Sequence, residues 1–480
     1  MQLGFEHTYA ALPARFYSTV APTTVADPKL VVFNGPLAAE LGLDGAAVER
    51  EAAALFSGNR LPEDAKPIAM AYAGHQFGNF VPRLGDGRAI LLGEVRGPDG
   101  VLRDVQLKGS GLTPYSRTAD GRAALGPMLR EYLISEAMHA LRIPTTRSLA
   151  VVTTGELVRR EDALPGAVLA RVAASHVRVG TFEYFAARRD VEGVRALLSY
   201  VISRHYPELR DADVPALALL KAVSARQATL ISQWMCVGFI HGVMNTDNMA
   251  ISGETIDYGP CAFMDQYNPR TVFSSIDHNG RYAYANQPAI AQWNLARLAD
   301  TLIPLIDAST DKAVQLATEV IQDFMEGFDA RFLEGMRRKI GLTSREEGDA
   351  ELIRRLLSAM QGAAADFTLT FRKLSASAET PEGDDAVLSQ WLRDWRERTT
   401  RDPQTATERA ANMRQVNPAY IPRNHRVEAA LNAASEHGDF EPFKRLLAIL
   451  QNPFEEQPDA AGYELPAAPE ERVFHTFCGT

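Results

Sequence analysis

One short segment, residues 241–259, constrains the fold of this chain more than any other. Asp247 and Asn248 stand side by side, an apolar strand-like run follows over residues 249–252, and after a Gly-Glu turn Asp257 opens an Asp-Tyr-Gly triplet. Two oxygen ligands separated by a hairpin can both reach one hard cation that is bound to a phosphate. The spacing therefore predicts a loop and a β-hairpin that hold a divalent metal beside a nucleotide.

Protein kinases build their metal site in the same order: a loop carboxylate next to an asparagine, then a hairpin, then an Asp-aromatic-Gly triplet. In those enzymes the catalytic Asp stands two residues after the loop His, and Val243 occupies that position here. We expect Asn248 and Asp257 to bind the metal, and Asp247 to accept a proton from an incoming hydroxyl. The alternative for residues 245–248 is an ordinary Asx-rich turn.

Composition sets outer limits on class and compartment. A chain of 480 residues with 46% hydrophobic residues has room for two or three domains of ~150 residues each. The net charge of −10 argues against a general nucleic-acid binder, whose footprint is basic. Three cysteines do not make a disulfide framework, the first nine residues do not resemble a signal peptide, and no apolar run approaches ~18 residues. We expect a cytoplasmic protein that does not bind membranes.

Strand patterns come before helix patterns along the chain. Residues 88–96 and 101–109 flank a Gly-Pro-Asp-Gly turn, which predicts a β-hairpin, and residues 126–142 carry a helical apolar stripe. Further elements follow from periodicity: strands at 148–153 and 167–173, and helices at 194–206, 215–239, 293–306, 313–333 and 351–374.

This order predicts an α+β fold with the two lobes of a protein kinase and a helical C-terminal extension. We assign residues 1–180 to an N-terminal region and sheet-containing N-lobe, and residues 181–330 to a helical C-lobe that carries the metal and catalytic motifs. Residues 331–480 form the helical extension and a flexible tail, in which residues 455–471 are rich in Pro, Ala and Glu and are expected to pack loosely.

Lys108 ends the second strand of the predicted hairpin, and the following helix carries Glu131 and Glu136. In kinases a strand Lys contacts phosphate and is held by a helix Glu. Periodicity places Glu136 nearer the apolar stripe than Glu131, so the residues alone leave the partner open. The alternative is that Lys108 is a solvated lysine on a sheet face.

Two glycine-containing turns are candidate ligand contacts: the first could hold phosphate, and in the second Asp120 could accept a hydrogen bond from a ligand. Gly85 and Gly87 precede Arg88 at the start of the hairpin, and Asp120-Gly121 lies just before the helix. Glycine lets backbone N–H groups approach a phosphate closely, and Arg88 adds positive charge. Each turn on its own is equally consistent with plain turn chemistry.

Arg171 ends an apolar strand pattern, and Arg178 follows seven residues later. Two guanidinium groups that converge on a phosphate bind it strongly and with defined geometry. The alternative is that they form ion pairs with nearby acids such as Glu161, Asp162 or Glu183. The spacing of His and Cys residues argues against a zinc site.

Five motifs, taken together, resemble the selenoprotein O family over most of the chain. They are Tyr72-Ala-Gly-His-Gln-Phe-Gly78, Leu84-Gly-Asp-Gly-Arg-Ala89, Gln106-Leu-Lys-Gly-Ser-Gly111, Thr113-Pro-Tyr-Ser-Arg-Thr-Ala-Asp-Gly-Arg122 and His241-Gly-Val-Met-Asn-Thr-Asp-Asn-Met249. The resemblance implies a kinase-like fold that binds ATP in an inverted orientation with Mg²⁺ or Mn²⁺. It also implies transfer of AMP, rather than the γ-phosphoryl group, to Ser, Thr or Tyr hydroxyls of protein substrates.

The family's functional residues carry over to matching positions. Asp247 matches the proton acceptor, Asn248 and Asp257 match the metal ligands, and Glu131 matches the partner of the strand lysine. The nucleotide-binding positions are matched by Gly85, Gly87, Arg88, Lys108, Asp120, Gly121, Arg171, Arg178 and Asp257. Eukaryotic members carry selenocysteine three residues from the end, where Cys478 stands here. The resemblance makes Cys261 a possible disulfide partner of that residue, although a buried thiol is the commoner fate.

Four functions stay open at this point. Protein adenylyltransferase comes first, and the others are UMP transfer from UTP with manganese, which some bacterial members of the family perform, a conventional ATP-dependent kinase, and a non-catalytic nucleotide-binding scaffold.

Overall fold

The computed structural model describes residues 1–378 and 388–477. Its strands are β1 (Phe5–Glu6), β2 (Tyr17–Thr19), β3 (Lys29–Phe33), β4 (Ile68–Met70), β5 (Gly74–Gln76), β6 (Asn79–Val81), β7 (Ala89–Arg96), β8 (Leu102–Lys108), β9 (Ala123–Ala124), β10 (Arg147–Arg159), β11 (Ala163–Ala173), β12 (Phe239–Ile240) and β13 (Ala262–Phe263). In this described part of the chain, nine strands form one antiparallel sheet in the order β2-β4-β7-β8-β11-β10-β3, with β1 beside β7 and β9 beside β11.

The helices lie mostly after the sheet. They are α1 (Gly35–Glu40), α2 (Gly45–Phe56), α3 (Leu125–Ala140), α4 (Val179–Ala186), α5 (Val191–His205), α6 (Pro215–Val237), α7 (Gln287–Ile306), α8 (Thr310–Lys339), α9 (Asp349–Gly362), α10 (Phe367–Ser377), α11 (Ser389–Thr399), α12 (Ala406–Arg414), α13 (Asn424–His437) and α14 (Glu441–Leu450). The architecture is thus mixed α/β, with a large antiparallel sheet and a helical C-terminal region. In the residues that the structure describes, every helix is too short or too polar to cross a membrane.

The predicted hairpin is confirmed as β7 and β8, which pair antiparallel with Ala89 opposite Lys108. Alternation along β8 sends Val105 and Leu107 to one side, where they join a buried apolar cluster with α1 and α2. Gln106 and Lys108 therefore face the other side of the sheet, and both are buried. A polar face inside the fold is the first sign of a site.

Helix α3 covers that polar face and confirms the helix predicted at 126–142. It packs against β10 and β11, and its apolar stripe of Leu129, Leu133 and Ala137 is buried in the main core. Two of its acidic residues, Glu131 and Glu136, are also buried. Buried carboxylates are costly unless they are paired, so each must have a defined partner.

The single helix predicted at 351–374 is wrong, because the chain forms α9 and α10 with a break between them. Ala364 has a positive φ of 50°, and Asp366 caps α10 by accepting from the backbone N–H of Leu369 at 2.8 Å. Asp366 also accepts from the buried guanidinium of Arg423 at 2.7 Å. An ion pair with a residue far along the chain therefore fixes the break.

The hairpin predicted at residues 249–256 is also wrong, because its two arms do not pair with each other in the described structure. The backbone N–H of Val179 donates to the carbonyl of Met249 at 3.0 Å, and that of Thr255 donates to the carbonyl of Pro144 at 2.9 Å. Other segments thus satisfy the backbone of each arm. The motif is consequently anchored to the start of α4 and to the loop before β10.

The tail at residues 455–471 is largely exposed but is held at defined points. Ala460 is buried, and the carbonyl of Glu464 accepts from the Arg423 guanidinium at 2.7 Å. The tail is thus packed more firmly at these points than its composition predicts. The division of the chain at residues 180 and 330 stays a prediction.

Candidate active site

A cavity of about 1220 Å³ opens between the sheet, α3 and the loop that carries Asp247. The predicted site residues that line it are Gly85, Gly87, Arg88, Lys108, Gly121, Arg171, Arg178, Asp247, Asn248 and Asp257. Asp120 is the exception, because its carboxylate lies on an exposed loop and accepts from Arg160 at 2.9 Å. The cavity therefore gathers residues from distant parts of the chain into one site.

Three cations surround the carboxylate of Asp257. Its Oδ1 accepts from Lys108 Nζ at 2.9 Å and from Arg171 Nη1 at 2.6 Å, while its Oδ2 accepts from Arg178 Nη1 at 2.9 Å. We call Lys108, Arg171 and Arg178 the cation cluster. Burial acts to raise the pKa of Asp257, but the three cations outweigh it and hold that pKa well below its ordinary value.

Glu131 is the second acidic partner of the cation cluster. Its Oε2 accepts from Lys108 Nζ at 2.5 Å, and its Oε1 accepts from Arg171 Nη1 at 3.1 Å. Glu136 instead binds Arg147, at 2.9 Å through each carboxylate oxygen. The structure thus selects Glu131 as the lysine partner and excludes the solvated position considered for Lys108.

The two arginines do not pair with Glu161, Asp162 or Glu183, which were the alternative partners. Arg171 Nη2 donates to Gln106 Oε1 at 2.6 Å, and the Arg178 guanidinium lies 4.6 Å from the ring centroid of Tyr72. Both guanidinium groups are buried. Sequence reasoning gave no role to Gln106 or Tyr72, although both stand in the motifs quoted for the family resemblance.

Asp247 occupies a different environment from Asp257. Its side chain is buried, and Oδ2 accepts from Gln76 Nε2 at 3.3 Å. Within the described residues Oδ1 is buried without a hydrogen-bond partner. Burial raises the pKa of Asp247 to about 6, although Arg178 acts to lower it. A carboxylate with one unpartnered oxygen and a raised pKa is suited to accept a proton.

Two glycines let neighbouring backbone approach Asp247. A Cβ atom at Gly74 would lie 2.4 Å from Asp247 Oδ1, and one at Gly180 would lie 2.1 Å from the carbonyl oxygen of Ala73. Real Cβ atoms do not come so close to other atoms. The pocket around Asp247 is therefore closed by backbone that only glycine permits at these positions.

A hydrogen-bonded group holds the loop just before Asp247. Thr246 Oγ1 donates to Glu183 Oε2 at 2.5 Å and accepts from the backbone N–H of His75 at 2.6 Å, while His75 Nδ1 lies 2.5 Å from Glu183 Oε1. Burial raises the pKa of Glu183. Sequence reasoning did not pair His75 with Glu183, because they are more than a hundred residues apart along the chain.

The glycine turn at residues 85–87 approaches another loop as well as the cavity. Gly85 has φ +70°, and a Cβ there would lie 2.3 Å from the Tyr115 ring. A Cβ at Gly87 would lie 3.0 Å from the Tyr115 carbonyl, and Ser116 Oγ donates to the Gly87 carbonyl. Packing against this loop explains the glycines without a ligand, so phosphate contact is an additional role that stays a prediction.

The predicted metal ligands Asn248 and Asp257 both line the cavity, and a divalent metal held by them would need further ligands. Among residues 1–378 and 388–477, no group of three or more His, Cys, Asp or Glu side chains could hold a metal ion. Asn248 Nδ2 donates to the Val243 carbonyl at 2.9 Å, which leaves the amide oxygen to face a cation. Two oxygen donors suit Mg²⁺, which commonly takes its other ligands from substrate phosphates and water.

The disulfide between Cys261 and Cys478 stays a prediction. Cys261 is fully buried. Cys478 lies outside the described residues.

Comparisons with known proteins give one consistent result. The model of the family described as protein adenylyltransferase SelO matches residues 1–451. The chain is 62% identical to the protein nucleotidyltransferase YdiU of Rhizobium meliloti (strain 1021), across 99% of each chain. It is 60% identical to the proteins of the same name from Rhodopseudomonas palustris (strain BisB5) and Bradyrhizobium sp. (strain BTAi1), again across 99% of each chain.

Proposed function

This chain belongs to the protein adenylyltransferase SelO family and is a protein nucleotidyltransferase, and we propose that it transfers AMP from ATP to Ser, Thr or Tyr hydroxyls of proteins. Pyrophosphate is the other product. The bond that forms joins the hydroxyl oxygen to the α-phosphorus, and the bond that breaks joins that phosphorus to the oxygen bridging it to the β-phosphate. The hydroxyl proton leaves to a base.

One observation carries this proposal: the cation cluster, gathered at Asp257, and the unpartnered carboxylate oxygen of Asp247 line the same cavity. Lys108, Arg171 and Arg178 meet at Asp257, whereas Asp247 Oδ1 has no partner among the described residues. If the terminal phosphates bind among the cations, the α-phosphorus is the one left to face Asp247. This is the inverted binding of ATP that the family resemblance implies.

The cation cluster also suits the leaving group. Three positive charges against the carboxylates of Asp257 and Glu131 leave a net positive site for the charge that develops on pyrophosphate. Because these side chains are already fixed by mutual hydrogen bonds, they need little reorganisation during the reaction. Mg²⁺ or Mn²⁺ on Asn248 and Asp257 would supply further charge neutralisation of the triphosphate when bound.

Asp247 is the proposed proton acceptor. Gln76 holds Oδ2, so Oδ1, which is buried without a partner among the described residues, is the oxygen left to accept the substrate proton. In-line displacement requires that hydroxyl on the side of the α-phosphorus opposite the leaving pyrophosphate. The helix-borne Glu131, the strand-borne Lys108 and the order of sheet before helices support a kinase-like arrangement of the two parts.

The base of the nucleotide is a separate question. The matching family is described as adenylyltransferase, whereas the similar proteins are named nucleotidyltransferase without a base. UMP transfer from UTP with Mn²⁺ is therefore the second candidate. Both candidates use the same phosphate and metal residues and differ only in the pocket for the base.

Labelled nucleotides test the proposal. Purified protein and a substrate protein would be incubated with ATP labelled at the α- or the γ-phosphate, and with α-labelled UTP, each with Mg²⁺ or Mn²⁺. The proposal predicts protein-bound α-label from ATP, no γ-label, and loss of the signal in Asp247→Asn. Bound γ-label alone would identify a conventional kinase. Absence of both labels would leave the non-catalytic scaffold.

A further inference from the structure

A second cavity, of about 590 Å³, opens beside the first and shares Phe77 and Ile276 with it. Ile290 also lines it, and the Ile276 side chain is 51% exposed. We call this cavity the flanking groove. Phe77 is half-buried, Ile290 is buried and Ile276 is exposed, so the groove presents some apolar surface beside a polar site.

The flanking groove is tied to the loop that carries Asp247. The backbone N–H of Phe77 and the hydroxyl of Tyr282 both donate to Asn245 Oδ1, at 3.0 and 2.6 Å. Gln76, which precedes Phe77, donates to Asp247 itself. The wall between the two cavities is therefore hydrogen-bonded to the loop that carries Asp247, which places the flanking groove beside the position proposed for the substrate hydroxyl.

Arg281 supplies a positive charge in the flanking groove. Its guanidinium lies 4.9 Å from the ring centroid of Trp293, and among the described residues it forms no ion pair with a carboxylate. Both carboxylate oxygens of the nearby Asp277 accept instead from backbone N–H groups, those of Arg281 and Tyr282, at 2.9 and 2.8 Å.

Arg297 offers a contrast on the same ring. Its guanidinium lies 5.2 Å from the Trp293 centroid, but it pairs with Asp300 at 3.1 Å. Two arginines thus lie over one tryptophan ring: Arg297 pairs with a carboxylate, whereas Arg281 forms no ion pair among the described residues and shares the groove with the carboxylate of Asp277. Arginine stacked on an aromatic ring is held in place for a bidentate bond to a carboxylate.

We propose that the flanking groove binds the segment of the protein substrate next to the modified hydroxyl, and that Arg281 selects segments with an acidic residue there. This inference rests on the proposed function and specifies its substrate class. The apolar wall of Phe77 and Ile276 covers a neighbouring side chain, which keeps water from the ion pair. An ion pair that is equally strong in the ground state and the transition state lowers KM and leaves kcat unchanged.

Matched peptides test it. A serine peptide would carry Glu, Gln or Lys at each position from three before to three after the serine, with transfer of α-label from ATP as the readout. For the wild-type protein we expect kcat/KM to favour Glu over Gln at one or more positions by a factor of about ten, through KM. Arg281→Gln should remove that preference, Arg281→Glu should transfer it to Lys, and Arg297→Gln should keep it.

Thermal melting of each variant would show that it is folded. Wild-type protein that labels Glu, Gln and Lys peptides equally would overturn the groove's role, and so would equal loss of preference in Arg281→Gln and Arg297→Gln. Either result leaves the proposed function standing, because α-label still enters the peptides. Peptides that gain γ-label instead of α-label would contradict the proposed function itself.

Discussion

Arg178 Nη1 lies 2.9 Å from the carboxylate Oδ2 of Asp257. The same nitrogen also donates to the backbone carbonyl of Asp247 at 2.7 Å. One guanidinium thus links the residue proposed to bind the metal with the residue proposed to accept the proton. The spacing between the proposed metal ligand Asp257 and the proposed proton acceptor Asp247 therefore depends on this one side chain.

Replacement of Arg178 by Lys should lower nucleotide transfer by about 10- to 100-fold, mainly in kcat. Lysine keeps the charge but loses the flat contact with the Tyr72 ring and the rigid geometry that joins the two aspartates. Single-turnover transfer of α-label measures this. Arg226→Lys is the matched control, because Arg226 stacks 4.0 Å from the Tyr206 ring and binds only backbone carbonyls in the described structure. Equal losses in both variants would contradict the assignment.

Glu131→Gln and Glu136→Gln should separate function from stability on one helix. Glu131 binds the cation cluster, so its loss should reduce transfer while Asp257 still compensates Lys108. Glu136 binds Arg147 through both oxygens, and removing its charge leaves the largely buried Arg147 with only the exposed Glu40 as an acidic partner, at a cost of about 3 kcal/mol. The melting temperature should fall more in Glu136→Gln, and label transfer should fall more in Glu131→Gln. Both quantities would be measured on both variants. A stable but inactive Glu136→Gln would reverse the assignment.

Asp247→Asn should abolish transfer and stabilise the fold above pH 6. The pKa of Asp247 is raised from 3.8 to about 6, so the folded protein binds this proton more tightly than the unfolded chain does. Stability from this group is therefore greatest at low pH and falls as pH rises from about 4 to about 6, by about 3 kcal/mol.

Asparagine has no carboxylate to ionise, so that loss should be absent from the variant. The free energy of unfolding, measured with urea at pH 4.5 and pH 7.5, tests this. The variant should become more stable relative to the wild-type protein as pH rises. A difference between the two proteins that does not change with pH would show that the carboxylate has an ordinary pKa. In that case its suitability as a base would lose its support.

Gly74→Ala should impair transfer more than folding. The new Cβ would lie 2.4 Å from Asp247 Oδ1, so the carboxylate must move away from the position in which it meets the hydroxyl. We expect transfer to fall at least tenfold with a stability loss of about 1–3 kcal/mol. Gly362→Ala is the control, because nothing lies within 4 Å of its added Cβ. Full activity in Gly74→Ala would show that Asp247 tolerates displacement.

Local sequence patterns predicted much of this molecule. The β7–β8 hairpin follows from its turn residues and strand composition, and α3 follows from its apolar stripe. Lys108, Asp247, Asn248 and Asp257 also meet in one cavity as expected. For the hairpin and the helix the information lies within about twenty residues of the feature, whereas the meeting of Lys108 with the Asp247 segment was expected from the kinase-like order of the motifs.

Long-range contacts explain what sequence patterns missed. Helical periodicity could not choose between Glu131 and Glu136, because the choice depends on which strand lies opposite α3. The arms of the expected hairpin at 249–256 bond to segments seventy or more residues earlier. Gln76 reaches Asp247 across 171 positions, so no local signal could have paired them.

The most direct test of the central claim is a crystal structure of the protein with a non-hydrolysable ATP analogue and Mn²⁺. The account predicts the terminal phosphate among Lys108, Arg171 and Arg178, the metal at Asn248 and Asp257, and the α-phosphorus nearest Asp247. A terminal phosphate beside Asp247, with the base buried toward the cation cluster, would contradict it.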